Sequence, residues 1–267
     1  MANTITFLNV KGGVGKTTLC FNLAHALKII DDQRVLLVDL DHQENLSLRA
    51  MKNRKEKNLS CYDLITDDDV EAINCIYESV IPNTKILPAD IQLQMVLNEL
   101  NPSTNPSLLS VLDAKLEPVR DSYDYILIDT HPTLDMLATI GLMASTHYCI
   151  PIKPEPDSLV GIKWTDKYLK NLKKANTSLK DLGIVMTDAD KRTNIATELE
   201  NTIRRKFGDR FMETVINRNV AITDAAMEGK TIFQYDFRQS GCKYFRNLAE
   251  EVIEKCENRE VTYNVSE

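Results

Sequence analysis

The chain has 267 residues, long enough to bury a full core as one large α/β domain or two small ones. Its 39 acidic and 32 basic side chains leave a formal charge of −7, which excludes a polycationic body and confines any nucleic-acid binding to a local patch. The six cysteines (Cys20, Cys61, Cys75, Cys149, Cys242, Cys256) include no C-x-x-C pair, which excludes a zinc site or a disulfide scaffold and leaves buried, reduced thiols.

Thr4-Ile5-Thr6-Phe7-Leu8 is β-branched and apolar, as a buried strand should be, and Leu19, Leu23, Ala24 and Leu27 recur at helical spacing. Between them lies Lys11-Gly12-Gly13-Val14-Gly15-Lys16-Thr17-Thr18, in the strand-to-helix context that a phosphate loop requires. Glycines let backbone amides approach phosphates, the helix N-terminus adds its positive dipole end, Lys16 can reach the terminal phosphates, and the Thr17 hydroxyl can ligate magnesium. ATP or GTP is therefore the first ligand to expect. The strict pattern G-x-x-x-x-G-K-[ST] fails nonetheless, because Val10 stands where its first glycine belongs.

A second apolar strand, Val35 to Val38, delivers Asp39-Leu40-Asp41-His42-Gln43-Glu44-Asn45, with two carboxylates one residue apart where the strand leaves the sheet. Both can face a nucleotide's magnesium and its attacking water. The charge-rich segment Arg49 to Lys57 and the acidic cluster Asp67-Asp68-Asp69 read as a solvated insertion. Lys85-Ile86-Leu87 adds a short strand. Tyr125-Ile126-Leu127-Ile128 then ends in Asp129-Thr130-His131-Pro132, the Walker B arrangement in which a buried strand carries its aspartate to the magnesium shell.

Further strands are expected at Tyr148 to Ile152, Leu182 to Met186 and Thr214 to Ile216, the first leaving the sheet through Pro151, Pro154 and Pro156. Strands alternating with helical patterns predict a single α/β domain over 1–267: a doubly wound, mostly parallel sheet with helices on both faces, its chemistry beyond the carboxyl ends of the strands. Asn247 to Lys255 reads as an acidic, packed terminal helix, and 257–267 has no apolar periodicity and is expected to fray. Met1-Ala2-Asn3-Thr4 opens no leader sequence and no apolar run approaches membrane-spanning length, so a cytoplasmic protein is expected.

Two adjacent glycines with the additional Lys11 match the deviant phosphate loop of ParA-type and MinD-type ATPases, and the chain resembles the ParA family from Ile5 to about Val252. Asp39 to Gln43 resembles its D-x-D-P-Q segment, Asp129 to Pro132 its D-T-P-P, Pro151 to Glu155 its P-x-x-P-E, Ile216 to Val220 its I-P-R-N-V, and Gly229 to Ile232 its G-K-P-I. His42, His131 and Asn217 stand where the family has proline. The resemblance implies a P-loop fold and a magnesium-dependent ATPase. Gly12, Gly13, Val14, Gly15, Lys16, Thr17 and Thr18 would hold ATP, Thr17, Asp39 and Asp129 would surround Mg2+, Asp41 would help position the water, and Asn217 would border the adenine. It further implies ATP bound between two copies of the chain, with Lys11 reaching the other copy's phosphates.

Relatives of the ParA type bind nonspecific DNA as ATP dimers and release it after hydrolysis stimulated by a ParB-like or other adaptor. The resemblance thus implies a nucleoid-associated protein that positions a plasmid, a chromosome region or a protein cargo. Arg192 and Arg218 match DNA-contacting positions, and Lys191, Arg204, Arg205, Lys206, Arg210, Arg238, Lys243 and Arg246 extend a basic C-terminal third. With no general base or cis arginine finger in the motifs, slow intrinsic turnover is expected. The alternatives on this fold are a MinD-like membrane-associated ATPase, which needs a basic amphipathic C-terminal helix, and a metabolic enzyme. A nitrogenase-iron-protein reading fails because Cys149 lies in a strand rather than on a loop beside the site.

Overall fold

A computed structural model describes residues 2–100, 102, 105–190 and 192–257. Lys191 and the tail from 258 lie outside the described residues. In chain order the elements are β1 (Asn3–Phe7), α1 (Lys16–Asp31), β2 (Val35–Leu40), α2 (Asn45–Ala50), α3 (Cys61–Thr66), β3 (Tyr77–Glu78), β4 (Thr84–Leu87), α4 (Leu93–Glu99) and α5 (Val111–Leu116). Then follow β5 (Tyr125–Thr130), α6 (Met136–Met143), β6 (His147–Ile152), α7 (Ser158–Leu172), β7 (Lys180–Ala189), α8 (Asn194–Phe207), β8 (Phe211–Asn217), α9 (Val220–Met227), α10 (Ile232–Tyr235) and α11 (Ser240–Glu257).

The strands form one sheet in the order β3-β4-β2-β5-β1-β6-β7-β8. Every pairing is parallel except that of β3, an antiparallel edge of two residues too short to register as an apolar alternation. Parallel strands need both faces covered, and β2 shows why this sequence complies. All its residues are buried, with Val35 and Leu37 in one core and Leu36, Val38 and Leu40 in the other. The first core is closed by α1, α10 and α11, and the opposite face by α3 to α6 at one end and by α7 and α8 at the other. Five cysteines are buried in this body and Cys256 is half-buried, all unpaired.

Two features of the order position the site. From β1 the chain crosses by α1 past β5 to β2, whereas β6 leads the other way to β7 and β8. The reversal opens a crevice at the carboxyl ends of β1 and β6, flanked by the glycine run and the proline-rich exit. In addition, β2 and β5 pair in a register that sets Asp39 directly opposite Asp129. Residues 52–56 and 67–69 are exposed, as a solvated insertion should be, whereas the two ends of segment 49–57 are tied to the body. Arg49 and Ala50 complete α2, Met51 is buried, and Lys57 is drawn to the body by Glu44 at 2.9 Å and Asp90 at 2.8 Å.

Candidate functional site

The glycine run adopts the backbone that only glycine takes easily. Gly13 has φ 73° and Gly15, the residue before α1, has φ 89°, so the amides turn inward ahead of the first helical turn. Gly12 lies under Pro132, to which an added Cβ would come within 3.7 Å. Thr187 holds the loop from beneath by donating to the Val14 carbonyl at 2.7 Å, and Thr18 is half-buried on α1, its carbonyl accepting from Asn22 at 2.9 Å. Lys16 is buried beneath the loop, its Nζ reaching only the carbonyls of Asn9 and Lys11, each at 3.4 Å.

Beside it Thr17 Oγ1 donates to Asp129 Oδ2 at 2.6 Å, while Asp129 Oδ1 is buried without a partner. Asp39 accepts from the Ser47 amide at 2.8 Å, the Ser47 hydroxyl at 2.7 Å and the Asp41 amide at 3.0 Å, which seats the start of α2 on the end of β2. Asp41 is buried in the same turn and accepts from the Gln43 amide at 3.0 Å. Burial, and then the facing carboxylate of Asp39, push Asp129 up to about 8, and burial pushes Asp39 up to about 6. Desolvation lowers the Lys16 ammonium against the pull of Asp129 and Asp41. These residues present a hydroxyl, carboxylates and an unpaired carboxylate oxygen, the hard oxygen donors that magnesium takes. The donor set fits magnesium and the loop fits a polyphosphate.

Lys11 crosses the crevice at the bottom of the strand reversal. Its Nζ contacts Glu155 and, at 2.5 Å, Asp157, on the loop between β6 and α7 of the same chain. Those hydrogen bonds, Asp157 first, raise its ammonium above the ordinary lysine range. Val160 and Trp164, both more than half exposed, flank the same groove one helical turn apart. Asn217 ends β8 with its Oδ1 buried and without a partner.

Sequence reasoning missed the place of Arg49 and, although it set His42 and His131 near one site, the contact between their rings. Arg49, read as part of a charged run, is half-buried and lies within the field of Asp129. The helical position beside buried Ala50 was the available signal. His42 and His131 also meet, their rings 5.5 Å apart in an edge-on contact.

The basic positions fall into distinct settings. Arg192 and Arg218 come together past the ends of β7 and β8, exposed but paired with Asp190 at 2.7 Å and Asp188 at 3.0 Å. Arg205 and Lys243 are exposed, and Arg238 is exposed beside Asp236 at 3.3 Å. Arg204 bridges Glu200 and Glu213, Arg246 packs 4.4 Å from the Phe237 ring, and Lys206 lies over Phe207. Arg210 is unlike the rest: mostly buried, it ties Asp166 to Asp181 at 2.5 Å each, and so serves the packing of α7 on β7 rather than a surface.

Strand order, glycine loop and strand-end aspartates together define a P-loop α/β fold of the ParA and MinD type. A family described as an AAA domain matches residues 2–184. The chain is 36% identical over 253 residues to the sporulation initiation inhibitor protein Soj of Bacillus subtilis, covering 94% of this chain and 98% of that one. It is 31% identical over 259 residues to the chromosome partitioning protein ParA of Caulobacter vibrioides, covering 96% of each. It therefore belongs to the ParA family of partition ATPases. The fold is also that of cobyrinic acid a,c-diamide synthase from Mycobacterium smegmatis with bound ATP analog and magnesium, at TM-score 0.83 and 22% identity over 97% of this chain and 98% of that one.

Proposed function

We propose that the chain is a ParA-like ATPase that dimerises on magnesium–ATP, binds nonspecific DNA in that state, and positions a cargo until a partner protein stimulates hydrolysis. The observation that carries this reading is the Thr17–Asp129 bond at 2.6 Å, abreast of Asp39 and at the foot of a left-handed glycine loop. When bound, magnesium–ATP would supply an electrophilic terminal phosphorus and a positive charge beside the paired carboxylates. Lys16, loosely held at 3.4 Å, exchanges its carbonyl partners for phosphate oxygens. Thr17, Asp129 and Asp39 would hold the cation, Asp41 would orient a water, and the unpartnered Asn217 Oδ1 would accept from the base. Lys11 leaves Glu155 and Asp157 to serve the second copy's phosphates.

Arg192 and Arg218, exposed side by side, support the DNA reading over a membrane one. So does α11, which spends Phe245, Leu248, Ala249 and Val252 on the core instead of presenting a free apolar face. Among the described residues no helix is long and apolar enough to cross a membrane. The test is DNA retention with ATP, ADP or no nucleotide across a salt series. Retention that requires ATP at low salt and falls steeply with salt is expected. No retention in any of the three states overturns the DNA assignment, and equal retention in all three overturns its dependence on ATP.

A further inference from the structure

The register of β2 and β5 pairs Leu40 with Thr130, so the residues just beyond them, Asp41-His42 and His131-Pro132, leave the sheet side by side. His131 is buried and firmly held. Its Nε2 lies 2.5 Å from Asp135 Oδ2 and contacts the Thr133 hydroxyl. Asp135 is itself the N-cap of α6, with Oδ1 accepting from the Leu137 amide at 3.0 Å and the Ala138 amide at 3.3 Å. A nitrogen facing a carboxylate carries the hydrogen, so the His131 ring is fixed in orientation and tied to a helix end.

The Nδ1 atoms of both rings are buried without a partner, and His42 has no counterpart to the Nε2 contacts that hold His131. What its ring does have is the edge-on contact with His131, at 5.5 Å and 63° between planes. Its neighbours in sequence are Asp41 and Gln43, whose amide closes the turn on Asp41 Oδ1. Both histidines occupy positions where the D-x-D-P-Q and D-T-P-P segments carry proline, a residue that stiffens a loop through its own backbone. Here the turn keeps its backbone bond from the Glu44 amide to the Asp41 carbonyl at 2.8 Å, and what a proline would add has to come from side chains.

We propose that His131 is a positioning residue for Asp41: anchored to the start of α6 through Asp135 and Thr133, it holds the His42 ring and with it the loop 41–45. The role in turnover rests on the reading of Asp41 as a residue of nucleotide hydrolysis, whereas the coupling between the loops does not. The coupling is also directional. Removing His131 frees His42, while removing His42 leaves His131 held by Asp135 and Thr133.

Amide hydrogen exchange on the nucleotide-free full chain tests the coupling without ATP. H131A is expected to speed exchange across 41–45 by about two- to tenfold, the range that the worth of one ring pair allows. H42A is expected to do the same at 41–45 and leave 131–138 at the wild-type rate. H42F keeps a ring at that position and guards against a merely unfolded variant, so it is expected to match wild type. An H131A effect confined to 131–138, or equal loosening by H42F and H42A, overturns the proposal. Steady-state hydrolysis supplies the second readout. H131A and H42A are expected to lower kcat with KM for ATP unchanged, and the double variant to lose no more than H131A alone. Independent, multiplying losses overturn the proposal. A wild-type chain that does not hydrolyse ATP overturns the ATPase reading and leaves the exchange result to decide the coupling.

Discussion

Two fully buried carboxylates opposite each other are a local liability that the strands are made to carry. Asp129 holds its proton up to about 8, through burial and then Asp39, against 3.8 for the free side chain. For such a group the stabilising state is the protonated one. Its contribution is fully present below the unfolded value and is lost as pH rises through the folded one. The nucleotide-free protein is therefore expected to lose thermal stability between pH 5 and pH 8.5, and D129N to flatten that slope and melt higher than wild type at pH 8.5 by thermal denaturation. An unchanged slope in D129N removes Asp129 as its source. Arg49 is half-buried in the same field, and R49A is expected to lower magnesium-dependent turnover several-fold, read by steady-state hydrolysis against magnesium concentration. Asp39, Asp41 and Asp129 were legible because each follows an apolar strand, a pattern with direct physical meaning. The His42–His131 contact was not, since residues far apart in sequence meet only once the β2–β5 register is known.

At the scale of elements, the turn into α1 depends on backbone that glycine alone adopts at no cost. An added Cβ on Gly15 would meet Thr187 at 3.6 Å, an ordinary contact, so the penalty for alanine is conformational. G15A is expected to cost about 1–2 kcal/mol in chemical denaturation, with no change in the denaturant slope. The long strands and α1 were legible because their apolar runs carry one period each. The short helices between β2 and β5 were not named from the sequence, although α3 advertises itself. Ser60 accepts from the Tyr62 amide at 3.1 Å while Asp63 accepts from the Ser60 amide at 2.8 Å, and Ser-x-x-Asp is visible in the chain as a capping signal. β3 has only two residues and owes its strand geometry to the edge of β4. No local pattern announces it.

For the whole molecule, alternating strands and helices made the class of fold legible, but nothing local said that β1 is flanked by β5 and β6. That order follows from which apolar faces can be covered together, a property of the assembled core. It brings Arg192 and Arg218 together past the ends of β7 and β8, on a protein whose net charge is −7. Each arginine already has a carboxylate, so under the proposed DNA reading a phosphate would replace a partner rather than meet a bare cation. R192A/R218A is therefore expected to weaken retention on all DNA sequences alike and reduce the salt slope by about 1–2. A slope unchanged in the double variant moves the contact surface elsewhere, with Arg205 and Lys243 next to try.

The lysine held by Glu155 and Asp157 sets two salt responses against each other. Those ion pairs are partly exposed, so added electrolyte loosens them and frees Lys11, while in the proposed dimer a phosphate held between two copies would be shielded from the same ions. Dimerisation on ATP, followed by light scattering, should therefore persist or strengthen into moderate ionic strength over the range where DNA retention is already failing. If the proposed function holds, the nucleotide-loaded dimer and the DNA-bound dimer would be separable by ionic strength alone, and D157N, with one restraint gone, is expected to form the dimer at lower salt than wild type.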